Sequence, residues 1–171
     1  IAQPLLNLLS VQTNQTFSVV VLDEHEVVPI ARSFLPQPDS LRLNPYGMHL
    51  GHRLPAHATS TGKLLLAQLN PSERQAWVQR YGLKRLTPFS ITNESEFLQE
   101  LEKIAKQDYC ISQEEHELGV IAIAVPIFNA QGRAIAALNC IGQQQRIDEN
   151  YLIKSILPLL RHCAQEIRNM L

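Results

Sequence analysis

The chain of 171 residues is 45% hydrophobic and 18% charged, a balance that suits one globular domain with a single core and excludes a disordered chain. Its 15 Lys and Arg face 16 Asp and Glu with no basic run, so it lacks the cationic face with which nucleic-acid binders neutralise phosphates. Apolar stretches such as VIAIAVPIF at 120–128 fall well short of the roughly 20 residues of a membrane helix, and no basic-then-apolar leader opens the sequence.

In chain order, residues 1–14 place Ile1, Leu5, Leu8 and Leu9 on one face of an amphipathic helix. TFSVVVL at 16–22 and VVPIARSF at 27–34 flank a DEHE turn and predict a β-hairpin, with Pro29 pushing the second strand towards a sheet edge. A third strand is expected at 40–47. The hydroxyl-rich stretch LPAHATSTGKLLLAQL at 54–69 leads into a helix. Asn70, Pro71 and Glu73 then supply a cap, a first-turn proline and a first-turn acid for a helix to about Arg80. Another helix starts after Thr92 and Asn93, with Phe97, Leu98, Leu101 and Ile104 on one side. Strands follow at 109–116, 119–128 and 133–142, the last two joined by a turn of Asn129 to Gly132.

A long helix from about 148 to 170 closes the chain. Ile153, Ile156, Leu157, Leu160, Ala164 and Ile167 should face the core, while Leu152, Leu159, Cys163 and Met170 form a second apolar face. A helix apolar on two sides needs a second partner, so self-association is expected. Pro158 should kink this helix or cost it about 3 kcal/mol. The element order specifies an α+β fold, a mainly antiparallel sheet flanked by helices. Cys110, Cys140 and Cys163 sit in apolar sequence and read as reduced, buried thiols of a cytoplasmic protein. Ile1 in place of Met points to a processed chain or a domain cut from a longer protein.

Three readings compete for 54–69. Ser60 and Lys63 have the S-x-x-K spacing of serine acyl-enzymes, in which a lysine one turn on meets the nucleophile, but the companion Ser-Asp-Asn and Lys-Thr-Gly motifs are absent. Gly51 and Gly62 lie too far apart for a phosphate loop, and Leu64 stands where one needs Ser or Thr. Anion binding at the helix start, by free amides and the hydroxyls of Ser60 and Thr61, remains beside the alternative that Thr59 or Ser60 only caps the helix. In QEEHELG at 113–119, strand geometry would put Glu115 and Glu117 on one face and Glu114 and His116 on the other. The zincin pattern is also missing, so this stretch reads as a solvated strand end and turn, with no metal site.

The segments GHRLPAHATSTGKLLLA at 51–67 and EEHELGVIAIAVPIFNAQGRAIAALN at 114–139 closely resemble the effector-binding domain of IclR-type transcriptional regulators, and the likeness runs over essentially the whole chain. NPYGMHLGHRLPAHATSTGK at 44–63 looks most like the branch that senses hydroxybenzoates in aromatic catabolism, the PobR/PcaU-like regulators. The resemblance implies a GAF-like fold, homo-oligomers (dimers and tetramers), and an effector-binding domain over 1–171. The N-terminal winged-helix domain that binds DNA in this family is absent from this chain. It implies a ligand sensor, with no catalysis and no cofactor, for a small aromatic carboxylate such as 4-hydroxybenzoate or protocatechuate. The alternative is a sensor of a small keto or dicarboxylic acid. Family members that bind keto acids seat the carboxylate on backbone amides of residues matching Ser60 and Thr61. Further pocket positions carry over to Leu43, Tyr46, Leu54, Ser112, Ala122, Asn139 and Ile141. Ser112 replaces an acidic residue and Ala122 a cysteine of those relatives, and the lost charge and freed volume both suit a flat ring. The resemblance sets that ring against Leu43, Tyr46, Leu54 and Ala122, with Ser112 or Asn139 meeting a ring hydroxyl. His57 either faces the carboxylate or supports the loop, and Arg53 is either an anion partner or exposed.

Overall fold

The computed structural model describes residues 2–34 and 52–171; the strand expected at 40–47 lies outside them. Helix α1 (Gln3–Thr13) ends on Asn14 in the left-handed conformation. Strands β1 (Thr16–Asp23) and β2 (Glu26–Arg32) form the expected hairpin. A two-residue strand β3 (Leu54–Pro55) and a 3-10 turn (Ala56–Ala58) lead into α2 (Ser60–Leu66). Then come α3 (Pro71–Tyr81), α4 (Glu94–Gln107), β4 (Cys110–Gln113), β5 (Val120–Phe128) and β6 (Ala134–Gln143). The closing helix α5 runs through Glu149–Tyr151, a π-helical turn at Leu152–Ile156, and Leu157–Asn169.

The described strands make one antiparallel sheet in the order β3-β2-β1-β6-β5-β4. This is the expected α+β architecture. A bulge between Val19 and Val20 pairs Val20 with Pro29 and leaves Ile30 exposed. β3 pairs only with Glu26 and Val27, so Pro29 sits where no described strand needs an N–H from β2. The caps read from sequence are present: Asn70 and Glu73 form a reciprocal capping box on α3, and Asn93 caps α4.

Strict alternation along β5 and β6 splits the core in two. Ile121, Ile123, Val125, Leu138 and Cys140 point to one face, which α1 and α5 cover with Leu6, Leu9, Ile156, Leu160 and Ile167. The opposite face presents the small residues Ala122, Ala124 and Ala137 to the leucines of α2, with Phe97, Leu101 and Ile104 of α4 beyond. Alanines there let α2 lie close to the sheet. All three cysteines are free and buried, and burial pushes the Cys110 thiol up to about 12 and Cys163 up to about 11.

Two helices depart from expectation. On α1 the buried side chains are Leu6, Leu9 and Ser10, while Leu8 is 54% exposed. On α5 Leu152 and Cys163 are buried rather than outward, Ile153 and Leu159 are half-buried, and Met170 is exposed. For Leu152 the cause is the π turn, in which the Leu157 amide bonds to the Leu152 carbonyl. One extra residue in that turn brings Leu152 inward in place of Ile153, whereas Cys163 lies three residues after Leu160 and four before Ile167, on the buried face of an ordinary helix. The π turn also places Pro158 in the first turn of the following helical segment, where its missing N–H costs nothing. The second apolar face expected of α5 is therefore mostly core.

Gly62 fits because it has no side chain: a Cβ there would stand 2.0 Å from the Ala56 carbonyl oxygen. Gly62→Ala is expected to destabilise the fold by about 3 kcal/mol, the upper end for overpacking, since backbone rather than a mobile side chain must move. Urea denaturation measures this; an unchanged midpoint contradicts the close approach.

Candidate functional site

The sequence turns from β3 into α2 through a 3-10 turn, and Thr59 closes the junction. Its extended backbone (ψ 151°) and its Oγ1, which accepts from the Gly62 amide at 3.1 Å, make it the N-cap. The first intrahelical bond runs from the Lys63 amide to the Thr59 carbonyl (3.0 Å). The amides of Ser60 and Thr61 precede it and stay free of helical partners. Capping and available amides thus coexist: Thr59 serves one donor and leaves two.

Lys63 lies one turn further on with none of its side chain exposed. Its Nζ donates to Glu115 Oε2 at 2.7 Å and to Glu100 Oε2 at 3.1 Å. Burial by itself would lower its pKa, but the negative charge that surrounds it raises the ammonium above its ordinary range. Cys110 contributes to that only as a thiolate, a form it reaches near 12; at neutral pH the two carboxylates act. This corrects the reading of 113–119 as a solvated strand end. β4 stops at Gln113 and a turn does follow, with Glu114 and Gly119 at positive φ (57° and 82°), but Glu115 is buried on Lys63. The turn is pinned from a second side. Ser90 Oγ donates to the Glu115 carbonyl at 2.7 Å, Thr87 Oγ1 donates to the Glu114 carbonyl, and the Gly119 amide donates to the Glu114 carboxylate at 3.0 Å.

Between the start of α2 and this turn is a cleft enclosing about 400 Å³ of empty space, open solvent at its mouth included. Its walls bring together Ser60 and Thr61, Leu54 from β3, and Ser112, Ala122, Asn139 and Ile141 from three adjacent strands. The register explains the floor: Ser112 pairs with Ala122 and Ala122 with Ile141, and Asn139 faces Ser18 on β1. Seven of the ten candidate residues meet here. Leu43 and Tyr46 lie outside the described residues. His57 is buried, but its Nε2 donates to the Lys84 carbonyl at 2.7 Å and it does not line the cleft. That bond leaves it the supporting role. Arg53 is engaged by Asp23 (2.7 Å) and Glu26 (3.5 Å) at the far end of the hairpin.

Sequence reasoning missed Ser18, His116 and Glu117. Ser18 Oγ, Thr61 Oγ1 and Asn139 Oδ1 are buried and have no hydrogen-bond partner among the described residues, on a face where such groups are normally satisfied. His116 and Glu117 line the cleft from the turn. Burial lowers the His116 pKa, opposed by the Glu117 carboxylate and assisted by His52 and His57, so the imidazole is neutral at pH 7. Among the described residues no cluster of His, Cys, Asp and Glu is placed to hold a metal ion, and no helix is long and apolar enough to cross a membrane. The site can bind a small molecule that is apolar in its middle and polar at its ends.

Residues 1–169 match the family described as bacterial transcriptional regulator IclR, C-terminal. The chain is 62% identical over 170 residues to the p-hydroxybenzoate hydroxylase transcriptional activator of Acinetobacter baylyi, covering 99% of this chain and 63% of that protein. It is 53% identical over 171 residues to the Pca operon regulatory protein of the same organism, covering 100% of this chain and 61% of the relative. The chain therefore spans less than two thirds of either. Its structure superposes with a TM-score of 0.96, at 62% identity over 99% of this chain and 97% of the other, on the inducer-binding domain of a double mutant of the PobR transcription factor from Acinetobacter, solved as a complex with 3-hydroxybenzoic acid.

Lys63→Met strands the Glu115 carboxylate in the core and is expected to cost about 3–5 kcal/mol, with part recovered when Glu115→Gln is added. Chemical denaturation of the single and double variants checks this; equal losses in both contradict the clamp. Because the Lys63 pKa is raised on folding, its contribution is complete below the unfolded value of about 10.4 and disappears only as pH climbs through the higher folded value. The difference between wild type and Lys63→Met should accordingly stay level from pH 7 to about pH 10 as far as Lys63 sets it.

Proposed function

The chain belongs to the IclR family of bacterial transcriptional regulators, and we propose that it is the effector-binding domain of a regulator of aromatic-compound catabolism whose ligand is a hydroxybenzoate-type acid. The observation that carries this reading is the cleft itself. An apolar middle of Leu54, Ala122 and Ile141 lies between polar atoms, at Thr61 and Asn139, that find no hydrogen-bond partner among the described residues. An aromatic acid matches that pattern: its carboxylate takes the amides of Ser60 and Thr61 and the Thr61 hydroxyl, its ring lies on Ala122, and its ring substituent reaches the polar groups opposite, Ser112 and Asn139 among them. Ala122 gives a flat ring room that a larger residue would fill.

Catalysis has no support in this geometry. Lys63, which the S-x-x-K spacing would make a base for Ser60, spends its hydrogen bonds on two carboxylates and is held protonated. The reading is a sensor that needs no cofactor. In the whole regulator the DNA contact would come from a domain outside this chain, in the cytoplasm, and the effector would act by shifting the balance between domain arrangements. Homo-oligomer formation is part of the same proposal; the outer face of α1, where Leu8 is 54% and Val11 69% exposed, supplies apolar surface for it.

Calorimetric titration with 4-hydroxybenzoate, protocatechuate, benzoate and glyoxylate tests the reading. One hydroxybenzoate should bind saturably with a Kd on the order of micromolar, about −8 kcal/mol. Ser60→Pro should abolish that binding, because proline removes the amide at a first helical position it otherwise tolerates. Binding of glyoxylate alone would make the chain a keto-acid sensor, and no heat from any aromatic acid would contradict the proposal.

A further inference from the structure

We propose that His116, on the turn between β4 and β5, is the residue that reads the ring hydroxyl of the effector and so sets the preference for a hydroxylated over an unsubstituted benzoate. The inference rests on the effector reading above and adds to it a residue and a chemistry. His116 lines the cleft and is half-buried, and among the described residues its ring nitrogens make no hydrogen bond. The polar groups of Glu114 and Glu115 are already engaged. The carbonyls of Glu114 and Glu115 accept from Thr87 and Ser90, the Glu114 carboxylate accepts from Gly119, and the Glu115 carboxylate is clamped by Lys63. The imidazole therefore stands on a fixed support with its polar edge unused, which is the arrangement selectivity requires.

Charge sets the direction in which an aromatic acid can lie. Glu117, beside His116, is the one formally charged side chain among the described cleft-lining residues. A ligand carboxylate is repelled from that wall, whereas a phenolic O–H is drawn to it, because a neutral imidazole and a carboxylate both accept hydrogen bonds. Glu117 is exposed and His116 is the inner of the two. Burial keeps the imidazole in the neutral form that has an acceptor nitrogen. Benzoate would cover that nitrogen and pair nothing with it, which is the asymmetry by which a site built for a hydroxyl rejects its deoxy analogue.

The test is the Kd of 4-hydroxybenzoate and of benzoate, by calorimetry, on wild type, His116→Phe and His116→Gln, with the unliganded melting temperature of each variant as a check on folding. Wild type should prefer 4-hydroxybenzoate by about tenfold or more, the factor one unpaired buried polar group is worth. His116→Phe should erase the preference, weakening 4-hydroxybenzoate and tightening benzoate as the unpaired acceptor is removed, and His116→Gln, which keeps an acceptor, should restore part of it. A preference that survives in a folded His116→Phe overturns the assignment, as does loss of both acids together, which would make His116 a general support of the cleft. Wild type that binds neither acid nor protocatechuate would instead remove the effector reading itself, and this inference with it.

Discussion

A lysine ammonium with no solvent exposure is tolerable only if opposite charge surrounds it, and that requirement fixes the geometry on which the cleft depends. Lys63 on α2 must reach Glu100 on α4 and Glu115 on the β4–β5 turn at once, because an unpaired charge in the core would cost several kcal/mol. Three elements far apart in sequence are thereby held at one point. Ser60 and Thr61 lie within one helical turn of Lys63, and His116 follows Glu115 directly. The two polar walls of the cleft are thus positioned by the two ends of a single ion pair.

The two faces of the sheet are built differently. The centre of the face beneath α1 and α5 is filled by Ile121, Ile123, Val125 and Leu138 against the leucines and isoleucines of the helices, in close packing of large side chains, and its cavity lies at the rim, between β5 and α5, among Asp108, Phe128, Arg161 and Arg168. The other face trades bulk for proximity. Alanines at 122, 124 and 137 bring α2 close, and Ser18, Ser112 and Asn139 put polar atoms on the floor where the helix begins. Polar atoms left unsatisfied there weaken the fold slightly and favour a partner that can satisfy them.

Much of this is legible in the sequence where the cause is local. The hairpin, the Asn70 and Asn93 caps and the period-two strands follow from turn chemistry and side-chain alternation, and the structure shows them at nearly the expected positions. Residues drawn from family resemblance, such as Ser112 and Ala122, share one cleft because strand register aligns them. What failed was non-local or a fine point of helical geometry. Lys63 suggested a base for Ser60, yet its partner is 52 residues away. Spacing rules cannot see that pairing, although a lysine beside an apolar LLLA run and an acid-rich turn were its visible halves. Likewise Leu152 was assigned outward because a uniform 3.6-residue period ignores the π turn, and Cys163 was assigned outward although its spacing from Leu160 and Ile167 puts it on their face. His116 was weighed only as a metal ligand, a question that hides an imidazole with no hydrogen bond among the described residues.

Hydrogen–deuterium exchange of this chain with and without saturating 4-hydroxybenzoate tests most directly whether the Lys63-clamped cleft is the effector site. Amides in 58–64 and in 112–120 should both gain protection, while α1 and the outer turns of α5 exchange as before. Protection confined to other segments, or none in either of these under saturation, would contradict the account.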